Sequence, residues 1–192
     1  MSAAAQPRLT PEQYLAIERA AEFRSEYFDG VMYSMSGGSS VHSQIMGNLS
    51  GEFRNALKKR PCFVMPSDSR VRVGKGILYC YPDLVIACGA REYADDEKDT
   101  LLNPTLIIEV LSPSTESYDR GDKSAQYRSI RSLQAYALVS QDHPHVEIYR
   151  RNSEGQWTLT DVDGLDATCH FGELDSVEVS IPMAEIYDKV EF

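Results

Sequence analysis

The segment Leu106-Ile107-Ile108-Glu109-Val110-Leu111 most constrains what this chain can fold into. Five strand-forming apolar residues surround one carboxylate, and no polar face alternates with them. A run of that kind belongs in a central strand covered on both sides. The carboxylate then carries a large desolvation cost unless a cation or hydrogen-bond donors satisfy it. A second acid has a similar setting: Asp83 in Tyr81-Pro82-Asp83-Leu84-Val85-Ile86. If the two runs are neighbouring strands of one sheet, both carboxylates converge on a hard divalent cation such as Mg²⁺. Lys123, in Asp119-Arg120-Gly121-Asp122-Lys123, then adds a positive charge nearby. That combination suits hydrolysis of a phosphodiester.

The remaining chain reads as an α/β-type succession without internal repeats. Thr10-Pro11-Glu12-Gln13 has the form of an N-cap, a proline at the first helical position and a capping-box glutamine, predicting a helix to about Glu22. Asp29-Gly30 between two short runs predicts a hairpin, and that hairpin holds Glu26. From Ser40 to Lys59, Met46, Leu49, Phe53, Ala56 and Leu57 recur at helical spacing, which predicts one amphipathic helix packed on the sheet. Strands are expected over 63–65, 69–73 and 77–87, the last interrupted by Pro82. Gly89 to Thr100 reads as an acidic loop. Further strands are expected over 105–111, 133–139, 146–150 and 156–162, with a helix over 116–130 and a short one over 183–187. With 192 residues, residues 1–192 are expected to form a single domain.

Charge works against a nucleic-acid partner. Nineteen Lys and Arg against 29 Asp and Glu give a net charge of -10, whereas affinity for a polyanion rests on neutralising phosphates. The charge is uneven, however. Arg54, Lys58, Lys59, Arg60, Arg70, Arg72 and Lys75 face only Asp68 within their stretch, and the segment from Gln141 onward is strongly acidic. The basic stretch reads either as a phosphate-binding patch or as a solvated helix end and hairpin. No apolar run reaches membrane-spanning length, and Met1 to Arg8 has no apolar core of a secretory leader, so a cytoplasmic location is expected. Cys62, Cys80, Cys88 and Cys169 show no CxxC spacing and are expected to be reduced, mostly buried thiols.

The order Glu26 before Asp-Gly, His42 opening a long helix, Pro82-Asp83, then Glu109-Val110-Leu111-Ser112-Pro113-Ser114-Thr115, Asp119, Lys123 and Tyr127 resembles a large bacterial family. Its members are described as putative restriction endonucleases, within the PD-(D/E)xK nuclease superfamily. The resemblance runs from about residue 9 to residue 160. Leu111 stands where the superfamily's E-x-K element has lysine, and the family's lysine matches Lys123 on the following helix.

The resemblance implies a restriction-endonuclease-like core, a mixed central β-sheet flanked by helices. It implies that Asp83 and Glu109 hold Mg²⁺ or Mn²⁺, with the Val110 carbonyl as a further ligand. Glu26 is implied as an additional acid, and Lys123 as the group beside the attacking water. Tyr127 is implied to hold Lys123 or a phosphate. DNA is the implied substrate, and a homodimer would place two such sites on opposite strands of a duplex.

Plainer readings stand beside these. Pro82-Asp83 is also a common turn pair. Glu109 also reads as half of a structural ion pair, and Asp119 with Lys123 as an ordinary i, i+4 surface pair. Glu26 also reads as a surface hairpin residue, and His42 as a helix-start residue. His143-Pro144-His145 reads as a loop without partners. A nuclease fold with weakened catalysis, acting as a nucleic-acid-binding or assembly module, is the alternative function. No G-x-S-x-G elbow points to a serine hydrolase.

Overall fold

The computed structural model describes residues 8–35, 37–74 and 77–192, so Lys75 of the basic stretch and the first seven residues lie outside it. In chain order the elements begin with α1 (Pro11–Ala20), β1 (Ser25–Phe28), β2 (Val31–Ser34), α2 (Ser40–Ala56), β3 (Cys62–Pro66), β4 (Arg70–Val73) and β5 (Leu78–Cys80). There follow β6 (Leu84–Cys88), β7 (Thr100–Leu101), β8 (Leu106–Leu111), α3 (Glu116–Tyr118), a π-helical turn (Asp119–Lys123) and α4 (Ser124–Tyr127). The chain closes with β9 (Ala135–Ser140), β10 (His145–Arg151), β11 (Trp157–Asp163), β12 (Thr168–Leu174), β13 (Val177–Pro182) and α5 (Met183–Ile186).

Local chemistry sets the first elements. The Thr10 hydroxyl accepts from the Gln13 N–H at 3.3 Å while the Gln13 side chain accepts from the Thr10 N–H at 2.9 Å, completing the capping box of α1. Asp29 and Gly30 both adopt positive φ, 43° and 92°, as the tight turn between β1 and β2 requires. Ser39 caps α2 through the His42 N–H, and Ile45, Leu49 and Phe53 bury the stripe of α2 that faces the sheet.

Two larger sheets result. The six-stranded one runs β11-β10-β9-β8-β6-β3 and is mixed, with β8 and β9 parallel and the other pairs antiparallel. The five-stranded one runs β2-β1-β5-β4-β7. β8 is central to the first and separates two cores. Its Leu106, Ile108 and Val110 pack with Ile45, Leu49 and Phe53 of α2, and with Phe171 and Ile186. Its Ile107 and Leu111 pack on the opposite face with Val71, Leu78, Tyr127 and Tyr136. Glu109 lies between those two residues and shares their face. No helix among the described residues is long and apolar enough to cross a membrane.

Several expectations change. The run 77–87 becomes two strands in different sheets, because Pro82 lacks an N–H and cannot continue a ladder. The helix over 116–130 is short and broken by the π turn. The hairpin of β12 and β13 escaped the sequence reading, since its link, Asp175-Ser176, takes positive φ of 49° and 63° without the glycine that signals such a turn. Cys62 and Cys88 are not free thiols. They are cross-strand partners on β3 and β6, joined as a disulfide, whereas Cys80 and Cys169 are free and buried.

Candidate active site

The junction of the two large sheets gathers the acids. β1 carries Glu26 and pairs with β5, from which the chain leaves through Tyr81. The Tyr81 N–H donates to Glu26 Oε1 at 3.2 Å. Pro82 then ends one ladder, and Asp83 enters the next sheet just before β6. There the Asp83 N–H donates to Glu109 Oε2 at 3.2 Å, and Asp83 Oδ2 accepts from the Val110 N–H at 2.8 Å. The β6–β8 pairing registers Leu84 opposite Ile108, so these two bonds extend it by one step, with side-chain oxygens in place of backbone carbonyls.

The π-helical turn supplies the lysine. Such turns shift side chains relative to a regular helix and recur at functional sites. Here the turn buries Asp119 and Lys123 together. Lys123 Nζ lies 2.9 Å from Glu109 Oε1, 3.1 Å from Glu26 Oε1 and 3.5 Å from Asp119 Oδ1. The pair Asp119 and Lys123 is thus interior rather than helix surface. All five candidate residues meet in this cluster, which lies at the cleft expected of a site, and Tyr127 joins it through Glu109. Tyr127 is fully buried, its hydroxyl donates to Glu109 Oε1 at 2.8 Å, and the Lys123 amine lies 5.9 Å from its ring centroid.

His42 serves two purposes. Its backbone N–H donates to the capping Ser39 Oγ, as a helix-start residue should, and its Nε2 lies 3.0 Å from Asp83 Oδ2. Sequence alone hid the second contact, because 41 positions separate the two residues.

Burial shapes the electrostatics. It pushes the Glu109 carboxyl up to about 8; Asp119, Asp83 and Glu26 add to the rise and the Lys123 ammonium opposes it. Burial raises Asp119 as well, again against Lys123. For Lys123 burial acts in the opposite sense, and the surrounding carboxylates overcome it, leaving the amine well above its ordinary value. The Asp83 carboxylate raises His42 against its burial. Asp83, just before β6, and Glu109, on the neighbouring β8, offer hard oxygen donors only, where four carboxylates outnumber one ammonium. That donor set and that charge imbalance fit a hard divalent cation.

Two other expectations need revision. The basic stretch is not one patch beside the site. Arg70 is buried against Thr100, Tyr81 and Asp99. Lys58, Lys59 and Arg60 follow the far end of α2, about 24 Å along its axis from His42. His145 is not a partnerless loop residue either. It opens β10 and lies among Glu147, Asp161 and Asp163.

A mixed sheet with a buried acid pair at its centre and a lysine against it defines an α+β protein of the restriction-endonuclease-like class. The family model Uma2, "Putative restriction endonuclease", matches residues 11–184, and the chain belongs to that family. The chain is also 37% identical over 188 residues to the uncharacterized protein slr1290 of Synechocystis, covering 97% of this chain and 95% of that one. It is 32% identical over 163 residues to sll1609 of the same organism, covering 85% and 92%. Among solved structures, a "putative nuclease belonging to DUF820" from Anabaena variabilis superposes with a TM-score of 0.72 at 19% identity, over 93% of this chain and 97% of that one. At that identity the likeness is one of fold.

Proposed function

We propose that this chain is a metal-dependent endonuclease that hydrolyses DNA phosphodiester bonds. The observation that carries the reading is the buried Glu109 carboxylate, hydrogen-bonded by the Asp83 backbone and ion-paired with Lys123, in a member of the Uma2 family. A carboxylate held against desolvation in a central strand has no packing rationale, since a leucine there would stabilise the core by about 1.5–3 kcal/mol.

Asp83 and Glu109 would hold Mg²⁺ or Mn²⁺, with the Val110 carbonyl as a further donor. The metal supplies Lewis-acid stabilisation of the phosphate and a more acidic water. The chain's own residues do the rest. His42 and the Val110 N–H hold Asp83 through Oδ2, and Oδ1 would be its donor to the metal. Tyr127 and the Asp83 N–H fix Glu109 likewise. Lys123 presents its amine to the attacking water or to the charge that builds on the phosphate oxygens. Glu26 and Asp119 orient Lys123 as further acceptors of its amine. A homodimer would let two such clefts address opposite strands of one duplex.

The test is cleavage of supercoiled plasmid and of single-stranded DNA under Mg²⁺ and Mn²⁺ at low salt, with wild type, Glu109→Gln and Lys123→Met. Metal-dependent cutting by the wild type, lost in both variants, is expected. Equal cutting by all three, or none by the wild type with either metal, removes the reading. Light scattering with and without DNA checks the dimer, and a monomer in both conditions excludes it.

A further inference from the structure

We propose that the β10–β11 hairpin carries a second cation site, for a borderline transition-metal ion of the Zn²⁺ type, built from His145, Glu147 and Asp161. The strand register puts His145 opposite Asp163 and Glu147 opposite Asp161. Residues two apart on one strand and their cross-strand partners share a face, so all four side chains project together. Among the described residues, His145, Glu147 and Asp161 are the group whose ligand atoms all lie within 4.8 Å of one another.

Donor geometry separates this cluster from a chance gathering of acids. His145 Nδ1 lies 2.7 Å from Asp163 Oδ1, the bond that fixes a ring so that the other nitrogen can serve as a ligand. That other nitrogen, Nε2, is 3.4 Å from Glu147 Oε1 and 3.9 Å from Asp161 Oδ1. Four ligands at about 2.0–2.1 Å around a tetrahedral ion stand roughly 3.3–3.4 Å apart, so little movement would close the three donors on one ion. His143 stacks on the His145 ring with centroids 5.6 Å apart, but its Nδ1 is turned to Ser140 Oγ at 3.3 Å.

Charge and donor type favour the same ligand. The Arg120 guanidinium is shared between Glu116 and Glu147 Oε1, the oxygen that faces His145, so an incoming ion would replace that contact, while Asp161 and Asp163 add two further acids. One imidazole nitrogen with two carboxylates suits zinc-like ions better than Mg²⁺, which prefers oxygen alone. Asp161 is 56% exposed, so the site opens to solvent. It is also distinct from the cleft, although on the same sheet face. Glu109 registers with Leu138, and Leu138 with Glu147, which puts the two sites about 10 Å apart, the width of two strand spacings.

Zinc titration of the chelator-stripped full chain by calorimetry tests the site, repeated with Asp161→Asn, His145→Ala and Glu109→Gln. The exposed Asp161→Asn change leaves the hairpin's packing intact, which guards against a folding artefact in the His145 variant. The expected result is a zinc-binding step that Glu109→Gln retains and both hairpin variants weaken by about tenfold or more. Wild-type and hairpin-variant titrations that superimpose would overturn the proposal. So would a zinc step lost only in Glu109→Gln, which would assign all the binding to the cleft.

Discussion

Two ion-pair clusters flank the five-stranded sheet, and they are built on opposite principles. In one, Arg19 bonds Asp95 and Asp99, while Arg70 bonds Asp99, Thr100 and Tyr81; two cations meet two acids. In the other, Glu26, Asp83, Glu109 and Asp119 meet one lysine and one histidine. The first cluster draws Asp99 well below the ordinary carboxylate range, chiefly through the Arg19 guanidinium. The second lets burial drive Glu109 to about 8. A balanced network stabilises charges that the fold can keep. An unbalanced one costs stability and marks a candidate site for a ligand of the missing sign.

Removing the cleft's lysine should break the comparison most visibly. Lys123→Met keeps the aliphatic stem and deletes the amine that Glu26, Glu109 and Asp119 share. DNA cleavage is expected to fall by about 10²–10³-fold, measured under Mg²⁺ with plasmid. A loss of less than about tenfold would mean that Lys123 serves the fold and not the reaction.

The same substitution in the balanced cluster should give the opposite pattern. Arg70 is nearly fully buried, so Arg70→Met removes one of the two guanidinium partners of Asp99 and the donor to the Tyr81 hydroxyl. Denaturant unfolding should show a loss of about 2–4 kcal/mol, toward the lower end because Asp99 reaches solvent. The cleavage rate per folded molecule should stay within the same order of magnitude. A change in rate without a change in stability would erase the distinction between the clusters.

The sequence disclosed these two clusters unequally, for a physical reason. Asp83 and Glu109 stood out because an acid inside an apolar strand violates a local pattern. Lys123 was read as a nearby positive charge, and the roles of Lys123 and Glu26 in the site became legible through a resemblance to known motifs. Arg70 looked like part of a basic patch, since nothing local reveals that Asp99, 29 positions on, lies 2.6 Å from its guanidinium. The π turn was equally hidden, because residues 116–130 read as one continuous helix. The disulfide between Cys62 and Cys88 depends on the β3–β6 register, which no single segment encodes. Patterns within one element were readable, and pairings between distant elements were not.

A subtler variant tests whether the cleft acts by holding cations. His42 Nε2 fixes Asp83 without facing the Lys123 amine, so His42→Ala should leave the reaction chemistry in place and loosen one ligand. Mn²⁺ dependence of cleavage is expected to shift to about 10–100-fold higher metal, with partial recovery of rate at saturation. His42→Gln, which can still donate to Asp83 Oδ2, should recover part of the affinity. A fall in maximal rate with no change in metal dependence would place His42 at the substrate and not at the ligand.

The smallest effect concerns Asp99 and follows from its lowered pKa. A carboxylate held below its unfolded value contributes stability that is present above the unfolded pKa, near 4, and is lost as pH falls toward the folded one. About a third of the Asp99 side chain is exposed, so solvent screening reduces its contribution to about 0.5–1 kcal/mol. Thermal unfolding of wild type and Asp99→Asn should therefore differ by that amount at pH 6 and converge as the pH drops below about 4. Glu109→Gln should behave otherwise in the metal-free protein. It removes a carboxyl whose ionisation burial makes costly, so the stability difference from wild type should be smallest at acid pH and should favour the variant as pH rises toward 8. If Asp99→Asn and Glu109→Gln showed the same sign of pH dependence, the contrast between charges that the fold welcomes and charges that it tolerates would not hold.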